Sequence, residues 1–258
     1  MNLDYKGTSV FYDVIGEGET IVFLHGFLEN STMWKEITQE LKSDFQVIII
    51  DLPGHGNTGN YGETHSMEMM AAVVKHILQH LKVNAATIVG HSMGGYVALA
   101  LAEADPNYFR GLILMNSSAL DDNRERKENR DRAIKLIKKD KDLFISMSIN
   151  NLFAAENREI FIKEIEDLKQ QAYEMTTENI IAAIRGMKIR KNRVDVLNSL
   201  KCKKLVVLGL KDEVLTLQDQ RNYLNDKNIR IQVLEGGHMS QIENNKELTY
   251  LLKHFNEK

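Results

Sequence analysis

The chain has 258 residues, with 33 basic and 36 acidic side chains and a formal charge of −3. That near-neutral balance argues against nucleic acid or an anionic membrane surface as the main partner. Cys202 is the single cysteine, which excludes a disulfide within the chain and argues against a cysteine-based metal cluster.

The opening residues, Met1 to Gly7, lack a charged-then-apolar leader, and no run approaches the ~20 apolar residues of a membrane span. The expectation is a soluble, cytoplasmic protein. Residues 10–15 read as a strand, Gly16-Glu17-Gly18-Glu19 as a turn, and residues 20–24 as a second strand. Apolar residues recur at helical spacing over 34–41, with Trp34 as a packing anchor. Val47-Ile48-Ile49-Ile50 is a continuous β-branched run, the pattern of a strand buried on both faces. A helix over 66–81, a strand over 86–89, a helix over 93–104 and a strand over 112–115 follow. This alternation predicts a mostly parallel sheet with helices on both faces.

The rhythm then stops. From Asp121 to Arg185 there is neither glycine nor proline, and apolar residues recur at helical intervals. Between Asp121 and Arg193 lie 17 basic and 14 acidic residues, so the segment reads as a charged helical insertion whose apolar stripes pack on something else. Strands resume over 204–209 and 229–234, and a terminal helix is predicted over 244–255.

The chemistry is carried by Gly90-His91-Ser92-Met93-Gly94-Gly95, placed between a strand and a helix. A turn this tight forces the serine into an unfavourable backbone conformation and requires glycine around it. It lifts the hydroxyl above the sheet edge, at a helix N-terminus that favours developing negative charge. A serine hydroxyl needs a base within hydrogen-bond reach. His238 follows the last predicted strand on a loop opened by Gly236-Gly237. His76 and His80 fall inside a helix and His254 near the end of the chain, where surface or satisfied roles suffice; His65 lies in a loop that assigns it no role.

The base needs an acid to orient it. Asp212 follows the penultimate strand, giving the chain order Ser–Asp–His; Glu213 beside it and Asp121 or Asp122 after the 112–115 strand are alternatives. A developing oxyanion needs two backbone donors. The amide of Met93 supplies one, and that of Phe27, in His25-Gly26-Phe27-Leu28, is the candidate for the other. His25 reads as a buried imidazole that ties loops together. Asp51-Leu52-Pro53-Gly54-His55-Gly56 forms a rigid turn beside them.

Together, His25-Gly26-Phe27, Asp51-Leu52-Pro53-Gly54-His55-Gly56, Gly90-His91-Ser92-Met93-Gly94-Gly95, Gly209-x-x-Asp212 and Gly237-His238 resemble the α/β-hydrolase superfamily. The resemblance implies an eight-stranded, mostly parallel sheet and a helical cap inserted after the sixth strand. It places the core in residues 1–120 and 186–258 and the cap in 121–185. It also implies Ser92, Asp212 and His238 as a triad, with no cofactor and no metal.

Ser92 excludes the branches of the fold that use aspartate as nucleophile, and Met239 stands where carbon–carbon hydrolases usually carry tryptophan. The expected activity is serine esterase action on a small or medium carboxylic ester, with Phe144, Met147, Leu152 and Phe153 as pocket-wall candidates. A menaquinone-pathway-like lyase using the same triad as a base is one alternative, with Arg124, Arg126, Arg158 and Arg185 available to an anionic substrate. A ligand-sensing protein of the same fold is another.

Overall fold

A strand buried on both faces sends alternate side chains into two cores. Ile21 and Phe23 of β3 (Glu19–Leu24) and Val47 and Ile49 of β4 (Phe45–Ile50) enter one cluster with Trp34. Their neighbours Val22, Leu24, Ile48 and Ile50 enter the other. The remaining strands are β1 (Asn2–Tyr5), β2 (Thr8–Ile15), β5 (Ala86–His91), β6 (Phe109–Met115), β7 (Lys203–Gly209) and β8 (Ile229–Leu234). They form one eight-stranded sheet in the order β1-β2-β4-β3-β5-β6-β7-β8. Pairing is antiparallel from β1 to β2 and from β2 to β4, and parallel everywhere else. The computed structural model describes residues 1–224 and 228–255. Residues 225–227 and 256–258, which the expected core range includes, lie outside the described residues.

Helices α1 (Lys35–Leu41), α2 (Met67–His80) and α3 (Met93–Ala104) connect the first strands. Ser66 caps α2 by accepting the Met69 amide at 3.1 Å, and its buried side chains, among them Met70, Val74 and Ile77, recur on one face. Between β6 and β7 the chain forms α4 (Arg124–Lys139), α5 (Lys141–Asn150), α6 (Ile162–Tyr173) and α7 (Thr177–Lys188), then α8 (Val194–Ser199). Asn123, Asp140 and Thr176 cap α4, α5 and α7 through their side chains, each cap contributing about 1 kcal/mol. The apolar stripes of these helices, including Ile137, Ile145, Ile149, Ile165 and Ile180, join the core cluster that also holds α2 and α3. The last of them, α7, runs past Arg185 to Lys188. The chain closes with α9 (Leu217–Arg221), α10 (Ser240–Glu243) and α11 (Asn245–Lys253).

Two details differ from the sequence expectation. Strand β1 was not anticipated; only alternate residues of it are part-buried, so its apolar signal is weak. The terminal helix expected over 244–255 spans Asn245–Lys253 and follows an unexpected short helix, Ser240–Glu243, from which Asn244 separates it, its backbone (φ −130°, ψ 33°) leaving the helical region.

Candidate active site

Six parallel strands, β3 to β8, end at one edge of the sheet, and the loops leaving that edge carry the residues of interest. Ser92 follows β5 and opens α3 with φ 48° and ψ −113°, a conformation that side chains rarely adopt. The turn around it leaves no room for a Cβ at two positions. One on Gly90 would lie 2.5 Å from the Gly95 Cα, and one on Gly94 would lie 2.2 Å from the Leu24 carbonyl oxygen. Neighbouring strands hold the strained residue: the Ser92 amide donates to the Met115 carbonyl at 2.9 Å, and the Ser117 hydroxyl donates to the Ser92 carbonyl at 2.7 Å.

The structure brings Ser92, His238 and Asp212 into one hydrogen-bonded chain. Ser92 Oγ lies 2.9 Å from His238 Nε2, and His238 Nδ1 lies 2.7 Å from Asp212 Oδ2. Only a carboxylate faces Nδ1, so that nitrogen carries the proton and Nε2 is free to accept from the serine. Asp212 is buried and accepts from four donors: the Val214 and Leu215 amides at Oδ1, and Asn116 Nδ2 and His238 at Oδ2. Burial alone would raise its pKa; its electrostatic interaction with His238 and these hydrogen bonds outweigh burial and lower it.

Phe27 is part-buried in the loop after β3, and its amide has no acceptor among the described residues. The Met93 amide is the first of α3 and has no intrahelical acceptor. The alternative acids are engaged elsewhere. Glu213 is exposed opposite Arg158 at 3.7 Å, and Asp121 is exposed. Asp122 is buried between Arg130 and Arg190, the latter at 2.6 Å. His25 ties loops, its Nε2 accepting the Leu52 amide at 2.9 Å and its Nδ1 meeting the Gly26 carbonyl at 2.7 Å.

A cavity of about 540 Å³ opens beside the site, lined by Phe27, Arg126, Arg130, Phe144, Ile184 and Val214 among others. Of the four expected wall residues, only Phe144 lines it, its ring 6.4 Å from that of Phe27. Phe153 is buried against Phe161 at 6.3 Å, and Met147 is exposed. Leu152 contributes its backbone, accepting the His238 amide at 2.7 Å. Arg126 donates to the Val214 carbonyl, whereas Arg124 and Arg185 pair with Glu128 and Glu63 at the surface.

The roles of four residues at this site escaped the sequence reading. Asn116, with φ 43° at the end of β6, donates to Asp212 Oδ2 and to the Gly237 carbonyl and accepts from Ser240. Glu243 accepts the Gly237 amide through one oxygen and the Ala154 amide and Asn157 Nδ2 through the other. Glu29 and His91 form a buried pair beneath the serine. Only Asn116 carried a local signal, as a polar residue directly after a buried strand.

A strained serine between strand and helix, a histidine and a buried aspartate on successive loops define a nucleophile-elbow protein of the α/β class. A sequence model of the alpha/beta hydrolase fold matches residues 19–245, and the chain belongs to that family. A pimeloyl-[acyl-carrier protein] methyl ester esterase of Vibrio cholerae is 34% identical over 113 residues, which is 43% of this chain and 41% of that protein. The matches to the first curated relatives, several of them uncharacterized, span only 32–42% of those proteins' lengths. Among solved structures, a malate-bound thermophilic esterase from Thermogutta terrifontis is similar with TM-score 0.91 and 28% identity, covering 98% of this chain and 95% of that one. An esterase from Exiguobacterium antarcticum gives TM-score 0.89 over 98% and 97% of the two chains; at 22% identity it shows the fold alone. Among the described residues no helix is long and apolar enough to cross a membrane.

Proposed function

We propose that this chain is a serine esterase that cleaves a small or medium carboxylic ester through an acyl-enzyme. The observation that carries the reading is the unbroken chain Ser92 Oγ–His238 Nε2 and His238 Nδ1–Asp212 Oδ2, at 2.9 and 2.7 Å. His238 takes the Ser92 proton as Oγ bonds to the acyl carbon, and the Phe27 and Met93 amides hold the oxyanion. His238 then hands the proton to the departing alcohol. Water, deprotonated by the same imidazole, attacks the acyl carbon and frees Ser92. Asp212 stays ionised throughout and stabilises the imidazolium.

Residues 121–185 act as the cap, with Phe144 and Ile184 facing the substrate across the cavity from Phe27. A volume near 540 Å³ falls within the range of small-molecule sites. Esterase relatives in sequence and in structure support the class of reaction. A panel of p-nitrophenyl esters of increasing acyl length tests the reading. Turnover is expected for short and medium chains and lost in Ser92→Ala; absence of turnover across the panel, or turnover that survives Ser92→Ala, overturns it.

A further inference from the structure

We propose that Glu29 and His91 are a buried positioning pair for this reaction, locking the His238 backbone and the oxyanion loop to the residue that precedes the nucleophile. The inference rests on the reading of Ser92, His238 and Asp212 as the catalytic residues.

The side chains of His91 and Glu29 are 0% and 2% exposed. His91 Nδ1 lies 2.9 Å from Glu29 Oε2, and His91 Nε2 lies 2.9 Å from the carbonyl oxygen of His238. A carbonyl oxygen and a carboxylate both accept, so each ring nitrogen must carry a hydrogen and His91 is an imidazolium. Burial acts against both charges. The Glu29 charge and hydrogen bond overcome it and raise the His91 pKa, and the His91 charge likewise lowers that of Glu29. Further hydrogen bonds offset the cost of taking two charges from water. The second contact on Glu29 Oε2 is the Gly26 amide at 2.7 Å.

These bonds join three loops that sequence keeps far apart. His91 ends β5 beside Ser92, Glu29 and Gly26 flank Phe27 after β3, and His238 follows β8 at the sheet's far edge. A Cβ on Gly26 would fall 2.6 Å from Glu29 Oε2 and 2.7 Å from His91 Nδ1, so glycine is what lets the oxyanion loop close on the pair. The imidazole faces the Glu29 and Asp212 carboxylates and the rings of His25, His238 and Trp34, with the His238 centroid at 5.2 Å. His91 touches neither substrate nor reacting atoms. It fixes the main chain from which the base and the Phe27 amide project, an error of about 1 Å at such a site costing on the order of 100-fold.

The test uses His91→Phe, Glu29→Gln and Ser92→Ala with p-nitrophenyl acetate. The imidazole nitrogen shifts of wild type are expected to show both His91 nitrogens protonated, the ring losing its proton only above the ordinary histidine value of about 6.5. Those of Glu29→Gln are expected to show it neutral. Both pair variants should lose kcat by about 10- to 100-fold, the effect of losing one charge-assisted hydrogen bond, with KM changed by less than about twofold. A merely structural pair would lower the melting temperature and leave kcat of the folded protein intact. Should His91→Phe fail to fold, the isosteric Glu29→Gln and the wild-type nitrogen shifts decide. A neutral His91 in wild type, or a folded pair variant with kcat within about threefold of wild type, overturns the proposal. Turnover remaining in Ser92→Ala would overturn the catalytic reading itself and leave the charge state of His91 as a separate result.

Discussion

Ser92 sits at φ 48°, a conformation costing on the order of 1–3 kcal/mol that persists because its surroundings over-determine it. The closest backbone approach among those surroundings is the Gly94 position against the Leu24 carbonyl. Gly94→Ala is therefore expected to cost about 1–3 kcal/mol, read as a lower urea midpoint, as the backbone shifts to admit the methyl group. Asp212→Asn keeps the shape but reverses the hydrogen bond that sets the His238 tautomer. It should lower kcat by about 10³- to 10⁴-fold with KM nearly unchanged and the melting temperature within a few degrees of wild type. At this scale the sequence was readable in the loops that leave the strand ends: Ser92 directly follows β5, Asp212 and His238 lie in the loops after β7 and β8, and the fold's parallel edge gathers them. Glu29 and His91, 62 residues apart, carry no local mark of their pairing, because neither periodicity nor turn chemistry reports a contact made across the sheet edge.

Elements were legible to the degree that burial was periodic. Strands β3 to β7 are nearly continuous apolar runs and α3 spans its expected limits, whereas the edge strand β1 pairs with β2 alone and buries too little to stand out. The helices between β6 and β7 are anchored by polar contacts that no pattern announces. Asp122, before α4, holds Arg190, whose guanidinium also lies 4.2 Å from the centre of the Tyr96 ring. Burial would raise the Asp122 pKa, yet the charges of Arg130 and Arg190 bring it down. Asp122→Ala strands a buried arginine and should cost about 3–5 kcal/mol in urea unfolding. A loss below about 1 kcal/mol would place Arg190 in contact with water. Glu243 joins these helices to the His238 loop through the Ala154 and Gly237 amides.

Across the whole molecule, buried histidines tie stability to pH. Burial lowers the pKa of His25, that of His55 well below the ordinary value, and that of His65 to about 4. The unfolded chain binds these protons near pH 6.5. Stability from the three is thus complete above that value and is lost as pH falls below about 6.5, the loss from His65 running down to about 4. His91, whose pKa is raised, has the opposite sign: its contribution is present below pH 6.5 and is lost as pH rises through its folded value. Melting temperatures from pH 8 to pH 4 should fall on the acid side, less steeply in His65→Gln, whose amide oxygen can still accept the Tyr61 amide. A flat profile would contradict the buried neutral histidines.

Acylation of Ser92 is where the account is most exposed. Mixing the protein with p-nitrophenyl acetate, quenching in acid within the first turnovers and mapping peptides by mass should find one acetyl group, on the peptide carrying Ser92, and none in Ser92→Ala. Release of p-nitrophenol at the same rate with Ser92 unmodified, or from Ser92→Ala, would contradict it.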